Sequence, residues 1–90
     1  MDRLKGKVAV ITGGNSGVGA ATAKLFAKEG AAVVITARRE AALEKAAEEI
    51  RSAGGEVSAV STDICKPEDP EKLMEFVMKK YGQIDILVNN

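Results

Sequence analysis

The segment KVAVITGGNSGVG, residues 7–19, joins an apolar run directly to a glycine-rich turn. The apolar part, Lys7 to Thr12, is rich in β-branched residues and shows no polar alternation, which is typical of a strand buried on both faces. After the glycines, apolar side chains recur at helical spacing, at Val18, Ala21, Leu25 and Phe26. A buried strand that passes through a glycine turn into a helix predicts the first unit of an α/β sheet.

Strands and helices alternate along the rest of the chain. The further strands are predicted at Ala32 to Thr36, Glu56 to Ser61 and Ile84 to Val88. The first helix is predicted to stop at Gly30, the second to run from Glu40 to Ser52 before Gly54-Gly55, and the third to start between Pro67 and Asp69 and stop at Gly82. This order predicts an α/β, Rossmann-type doubly wound parallel sheet of four strands with three helices. The third strand is the most polar, which favours a place nearer the sheet edge.

Length and composition limit the classes of function. Ninety residues form one domain at most, residues 1–90, and thirteen basic side chains balance thirteen acidic ones. No strong field therefore favours nucleic acid or an anionic membrane. The chain has no histidine, which excludes a Ser-His-Asp triad, and we expect no metal site. Its single cysteine, Cys65, fits a reducing compartment, and the run from Val8 to Ile11 is too short for a membrane span, so we expect a cytoplasmic protein.

The three spaced glycines of the turn have separate physical roles. Gly13 would let the chain leave the strand in a tight turn with a positive φ. Gly17 would remove a side chain where the backbone approaches a diphosphate, and Gly19 would let the helix pack closely on the strand. The helix N-terminus then offers free N–H groups to that diphosphate. The alternative is a glycine turn without a ligand. A P-loop is excluded, because Ala20 stands where its lysine is required.

Three motifs together resemble the short-chain dehydrogenase/reductase (SDR) family over all ninety residues. They are Thr12-Gly-x-x-x-Gly-Val-Gly19, Asp63-Ile64 after the third strand, and Val88-Asn89-Asn90 after the fourth. The resemblance implies an oxidoreductase that interconverts carbonyl and alcohol groups by hydride transfer, with the strand order 3-2-1-4 in this segment. It also implies that the dinucleotide contacts the residues of the three motifs: Gly13, Asn15, Ser16, Gly17, Val18, Gly19, Asp63, Ile64 and Asn90.

The end of the second strand predicts which dinucleotide is bound. In a dinucleotide site an acidic residue here bonds the adenosine ribose and favours NAD. This chain has Ala37 at that position, followed by Arg38 and Arg39. A guanidinium binds a 2′-phosphate through paired, charge-assisted hydrogen bonds, so Arg38 is the main candidate ligand and Arg39 the second. NADP(H) is therefore favoured, whereas NAD(H) stays open because Glu40 could reach the ribose.

Several of these polar residues have a structural alternative. Both arginines could be surface charges, and Asp63, implied by the resemblance to meet the adenine, could cap a turn before Pro67. Asn90 is implied to line the adenosine ribose. We expect Asn89 to tie the central strands together through side-chain-to-backbone bonds. Thr12 is expected to be structural, and Asp85 to be a surface carboxylate.

The chemistry of the resembled family requires a serine and a Tyr-x-x-x-Lys pair that these residues do not contain. The only tyrosine, Tyr81, is followed four residues later by Asp85. We therefore expect the chain to be the cofactor-binding part of a longer enzyme, with a small carbonyl or alcohol substrate bound by later segments. The alternatives are a non-catalytic nucleotide-binding module, or a fragment whose open strand-four edge pairs with another copy or a complementing segment.

Overall fold

A computed structural model describes residues 3–13, 17–62 and 68–89 of the chain. The strands are β1 Val8–Thr12, β2 Ala32–Ala37, β3 Glu56–Ser61 and β4 Ile86–Asn89. The helices are α1 Gly17–Lys28, α2 Glu40–Ser52 and α3 Glu68–Tyr81. The bounds of α2 and β3 are those that the sequence predicted.

The four strands form one parallel sheet in the order β3-β2-β1-β4. This confirms the predicted fold class and strand order, and β3 lies at an edge as its polarity indicated. In β1, the four residues from Val8 to Ile11 are all buried. β1 lies between β2 and β4, so both of its edges are hydrogen-bonded and both of its faces are covered.

The helices divide between the two faces of the sheet and close two separate cores. On one face, Ala23 of α1 and Leu43 and Ile50 of α2 pack with Ile11 and Ile35 of the sheet. On the other face, Leu73 and Val77 of α3 pack with Val8, Val10 and Val34. Neighbouring residues of β1 therefore face opposite cores, which explains why its sequence is apolar without alternation.

The face that α1 presents to the sheet differs from the prediction. The predicted apolar stripe was Val18, Ala21, Leu25 and Phe26, and of these Phe26 packs against the core, whereas Val18 is 73% exposed and Leu25 is 55% exposed. The buried residues of α1 are instead Gly19 and Ala23. Two stripes are compatible with this alanine-rich helix, and the small residues face the sheet because they allow the helix backbone to approach it closely.

Strand β4 begins two residues later than predicted, at Ile86. Ile84 packs against the α3-side core without joining the ladder. Asp85 bonds β1 twice: its backbone N–H donates to the Val8 carbonyl, and its carboxylate accepts the Val8 N–H at 2.8 Å. The carboxylate also accepts from the Gln83 amide at 2.6 Å. Asp85 is exposed, as expected of a surface carboxylate, but it also ends the β1–β4 ladder.

The turn from α2 to β3 shows how the helices end. Gly54 has a φ of +88°, and its N–H donates to the Arg51 carbonyl at 2.9 Å. The next N–H, from Gly55, donates to the Ile50 carbonyl at 3.0 Å, which completes a Schellman motif. α1 ends in the same motif at Gly30, as predicted. These motifs pair carbonyls of the last helical turn while the chain turns into the next strand.

Among the described helices, none is both long and apolar enough to cross a membrane. Across the same residues, no group of three or more histidine, cysteine, aspartate or glutamate side chains is placed to hold a metal ion.

The two-sided packing leads to a prediction about stability. Leu43 is 1% exposed, so Leu43→Ala would leave a cavity and is expected to lower the free energy of unfolding by about 2–5 kcal/mol. Leu25→Ala makes the same change on the outer side of α1 and is expected to alter it by no more than about 0.5 kcal/mol. Urea unfolding of both variants measures the difference. Equal losses would contradict the orientation of α1.

The contacts of Asp85 lead to a second prediction. The Val8 N–H and the Gln83 amide donate to its carboxylate and lower the pKa of Asp85 from its usual value. A carboxylate whose pKa is lower in the folded state stabilises the fold above its unfolded pKa, and this contribution is lost as the pH falls through the folded pKa.

Asp85→Asn removes this titration. We therefore expect the stability difference between the wild-type chain and Asp85→Asn to be constant near neutral pH and to shrink in acid. Urea unfolding between neutral pH and about pH 3 checks this. A difference that stays unchanged over that range would show that the hydrogen bonds do not depend on the charge.

Candidate functional site

The carboxyl ends of the four parallel strands lie along one edge of the sheet. Thr12, at the end of β1, is aligned with Thr36 of β2 and with Asn89 of β4. Ala37 of β2 is aligned with Ser61 of β3. The segments that follow these strands, which contain all the predicted cofactor-binding residues, therefore leave the sheet at a common edge. In open α/β sheets this edge is where ligands bind.

The predicted site residues fall into two groups. Those that the structure describes are Gly13, Gly17, Val18, Gly19, Arg38 and Arg39. The others lie outside the described residues: Asn15, Ser16, Asp63, Ile64 and Asn90.

Gly13 turns the chain away from β1. Its φ is +68°, and its N–H donates to the Thr36 carbonyl at 2.7 Å. The predicted positive φ is therefore confirmed. The hydrogen bond also continues the pairing of β1 with β2 by one residue, so the turn starts from a fixed position at the sheet edge.

Gly17 begins α1 and has a φ of +57°. A Cβ atom built at this residue has no heavy atom within 4 Å apart from its chain neighbours and the local helix backbone. Gly17 therefore leaves open space at the helix N-terminus, where the first N–H groups have no partner within the helix. Gly19 is buried, which agrees with its predicted role in close packing. An anionic group fits this arrangement through backbone N–H groups and the helix dipole.

The two arginines follow β2 at the same edge. Arg38 and Arg39 are exposed, and within residues 3–13, 17–62 and 68–89 neither guanidinium has a hydrogen-bond or ion-pair partner. Their backbone is fixed: the Arg38 carbonyl accepts from the Ser61 hydroxyl at 3.3 Å, and the Arg39 carbonyl accepts the Leu43 N–H at 3.1 Å. Arg39 is also the N-cap residue of α2, without a side-chain cap bond. Both positive charges are therefore available to a ligand at this edge.

Thr12 and Asn89 link β1 to β4. The Thr12 hydroxyl lies 3.3 Å from the Val88 carbonyl and 3.0 Å from Oδ1 of Asn89. Thr12 is thus structural, as expected. The expected side-chain-to-backbone role of Asn89 needs correction, because in this contact its amide oxygen accepts from a side chain. Thr12 and Asn89 are aligned on neighbouring strands, so their side chains contact each other directly.

A pair of hydroxyls that the sequence did not predict joins the carboxyl ends of β2 and β3. Thr36 and Thr62 are joined by a hydrogen bond between their Oγ1 atoms, and the Thr62 N–H donates to the Ala37 carbonyl at 3.0 Å. Thr36 is only 2% exposed. The signal in the sequence was Thr36, a polar residue at the end of an otherwise apolar strand. Its hydrogen-bond partner could not be predicted, because that partner depends on the β2–β3 register.

A second polar cluster contains serine, tyrosine and lysine. These are the residue types that the chemistry of the resembled family requires, but they are not in the spacing that it requires. Lys80 donates to the Ser58 hydroxyl at 2.7 Å, and Ser58 lies 2.9 Å from the Tyr81 hydroxyl. The single Tyr81 proton is directed to Glu56 at 3.2 Å, so Ser58 donates to Tyr81. Ser58 is buried and belongs to the first half of β3. The cluster therefore attaches α3 to β3, away from the carboxyl edge.

A groove of about 570 Å³ lies at the other end of the sheet. It is lined by the ends of α1 and α2 and by the turns into β2 and β3. A salt bridge between Lys24 and Glu49 neutralises part of this surface and lowers the pKa of Glu49. The groove is remote from the predicted site residues, so its size does not make it the candidate site.

A sequence model of the short chain dehydrogenase family matches residues 7–90. An uncharacterized oxidoreductase of Listeria innocua, Lin0452, is 44% identical over 87 residues, which cover 97% of this chain and 35% of that protein. The A-factor type gamma-butyrolactone 1′-reductase (1S-forming) of Streptomyces virginiae is 43% identical over 86 residues, 96% of this chain and 34% of the reductase.

Among solved structures, a metagenomic short-chain oxidoreductase in complex with NADP superimposes with a TM-score of 0.93 at 39% identity. The superposition covers 97% of this chain and 39% of that protein. The chain thus spans little more than a third of the length of these relatives. The sheet order, the glycine turn at its carboxyl edge and the family match lead to one conclusion: the chain belongs to the short chain dehydrogenase family.

Proposed function

We propose that this chain binds NADP(H) as part of an oxidoreductase that interconverts carbonyl and alcohol groups. The observation that carries the proposal is the position of Arg38, directly after Ala37, at the sheet edge where Gly13 and α1 also lie. The candidate anion site at the start of α1 and two cations without described partners therefore share one edge of the sheet. NADP has a diphosphate and a separate 2′-phosphate, which match these two features.

The diphosphate is assigned to the glycine turn. The open space at Gly17 supports this because it allows close approach of the backbone, and its positive φ is one that glycine adopts readily. Gly13 and Gly19 shape the turn, and Asn15, Ser16 and Val18 complete the proposed binding segment. Charge complementarity comes from the start of α1 and requires no basic side chain in the turn.

The adenosine end is assigned to the residues that follow β2, β3 and β4. Arg38 is the proposed main ligand of the 2′-phosphate and Arg39 the second. Asp63 and Ile64 are proposed for the adenine, and Asn90 for the ribose. Ala37 supports NADP over NAD, because a methyl group cannot repel a phosphate as a carboxylate would. The NADP complex of the metagenomic relative is consistent with this preference.

The dinucleotide would supply or accept the hydride when bound. Within these ninety residues no tyrosine is followed four positions later by lysine. The proposed role of this chain's own residues is therefore to bind and orient the dinucleotide, while a small carbonyl or alcohol substrate and its proton transfer belong to other parts of a longer protein. A reducing, cytoplasmic location is part of the same proposal, supported by the single cysteine.

The first test uses Arg38→Asp and the two ligands 2′,5′-ADP and 5′-AMP, which differ only in the 2′-phosphate. The substitution replaces attraction by repulsion at the proposed phosphate site. We expect the affinity for 2′,5′-ADP to fall by about tenfold to a hundredfold, and that for 5′-AMP to change by less than about threefold. Titration calorimetry measures both constants.

Arg51→Asp is the matched control, because it makes the same change of charge on an exposed arginine at the far end of α2. It is expected to leave the ratio of the two affinities unchanged. If Arg38→Asp weakens both ligands equally, the assignment of Arg38 to the 2′-phosphate is wrong, and NAD becomes the better candidate.

The second test separates ligand contact from backbone strain at Gly17. Gly17→Ala would place a methyl group in the space assigned to the diphosphate, and the positive φ would cost about 1–2 kcal/mol in stability. Gly82→Ala imposes a similar strain at a φ of +76°, again with no heavy atom within 4 Å of the added Cβ, but before β4 at the opposite sheet edge.

Both variants are expected to lose comparable stability in urea, while only Gly17→Ala loses affinity for NADP, by more than about tenfold. If both variants keep the wild-type affinity, the diphosphate does not lie against Gly17.

A further inference from the structure

Three contacts join the carboxyl ends of β2 and β3 beyond the regular ladder. The hydroxyls of Thr36 and Thr62 bond each other, the Thr62 N–H donates to the Ala37 carbonyl, and the Ser61 hydroxyl donates to the Arg38 carbonyl. Together they hold the first residues after β2 against the last residues of β3. We refer to Thr36 and Thr62 as the threonine pair.

The threonine pair is more than a packing contact. Thr36 is 2% exposed, and Thr62 is partly buried. A valine at either position would fill the same volume, so the hydroxyls are not required to fill space. A hydrogen bond between them adds direction, because it forms only when the two strand ends have one particular alignment. Misalignment of the two strand ends would also be costly, since it would leave a buried hydroxyl without a hydrogen-bond partner.

The residues next to this pair are those proposed to recognise the adenosine end of NADP. Arg38 follows Thr36 by two residues, and Asp63 follows Thr62 directly. The Arg38 and Ala37 carbonyls are the acceptors of the Ser61 and Thr62 bonds. A change in alignment at the threonine pair would therefore displace the segment that contains Arg38.

We propose that Thr36 and Thr62 are positioning residues that set the 2′-phosphate preference by aligning the segment of Arg38 with the end of β3. The inference rests on the proposed function. Neither threonine needs to touch the ligand, since both act through the backbone that carries the recognition residues. Ser61 contributes to the same alignment from the surface.

The experiment compares Thr62→Val, Thr62→Ser and the double variant Thr36→Val/Thr62→Val. The measured quantity is the ratio of the affinities for 2′,5′-ADP and 5′-AMP, together with the free energy of unfolding. Thr62→Val is expected to lower the ratio by about threefold to tenfold, because the segment of Arg38 is then held less closely in the alignment that binds the 2′-phosphate. Thr62→Ser keeps the hydroxyl and is expected to keep most of the ratio.

The double variant separates positioning from stability. Replacing both partners by apolar groups of the same shape leaves no unpaired hydroxyl, so the free energy of unfolding is expected to return close to that of the wild type. The affinity ratio is expected to stay low, because the directional bond is still absent. A ratio that recovers together with the stability would mean that the pair is structural only, and would overturn the proposal.

Failure of the proposed function gives a different result. If Arg38→Asp leaves the ratio unchanged while the wild type binds both ligands, Arg38 does not bind the 2′-phosphate, whatever the threonine variants do. Amide hydrogen exchange then tests the alignment without a ligand. Faster exchange of the residue 62 amide, whose N–H donates to the Ala37 carbonyl, in the double variant would support it, and unchanged exchange would overturn it.

Discussion

The burial of β1 on both faces and at both edges is the constraint on which the other elements depend. Val8 to Ile11 have almost no contact with solvent, and their backbone groups bond β2 on one side and β4 on the other. A strand in this position must have a helix layer on each face, and parallel neighbours require crossover connections long enough to contain those helices. The central strand thus explains both cores and the alternating order of elements.

The candidate site follows from the same constraint. All four strands run in one direction, so the segments after them start at one edge, including the glycine turn and the two arginines. The described contacts at that edge are mainly between strand ends: Gly13 with Thr36, Thr12 with Asn89, and Thr36 with Thr62. These bonds fix where each recognition segment starts, while the guanidiniums of Arg38 and Arg39 stay available to a ligand. Under the proposed function, strand ends held in this way would reduce the cost of ordering the site on binding.

Exposed apolar side chains occur on α1, α3 and β4 of the described part of the chain. Val18 and Leu25 lie on the outer side of α1, and Leu87 of β4 is 58% exposed. β4 is also an edge strand of the described sheet, with β1 as its partner. An apolar edge strand tends to pair with further chain. Relatives of this protein are almost three times as long as this chain.

The sequence by itself determined the fold class and most of the element bounds, while the strand order was implied by the resemblance to a known family. The physical reason is local. A continuous apolar run rich in β-branched residues identifies a buried strand, helical periodicity identifies a helix, and glycines mark where helices end. Regular alternation of strands and helices then allows few topologies. The positive φ of Gly13 followed from the same local pattern. The family motifs indicated which strand ends would contain the binding residues, including those outside the described part of the chain.

Tertiary structure decided what local patterns left undetermined. The sequence of α1 offered two apolar stripes, and only packing against the sheet selected Gly19 and Ala23 over Val18 and Leu25. The role of Asp85 depended on the Val8 N–H, which lies 77 residues away in sequence. The partners of Asn89 and Thr36 were likewise set by strand register, which brings together side chains from different strands. Hydrogen bonds of this kind form between residues that no sequence periodicity connects, so they appear only once the sheet is assembled.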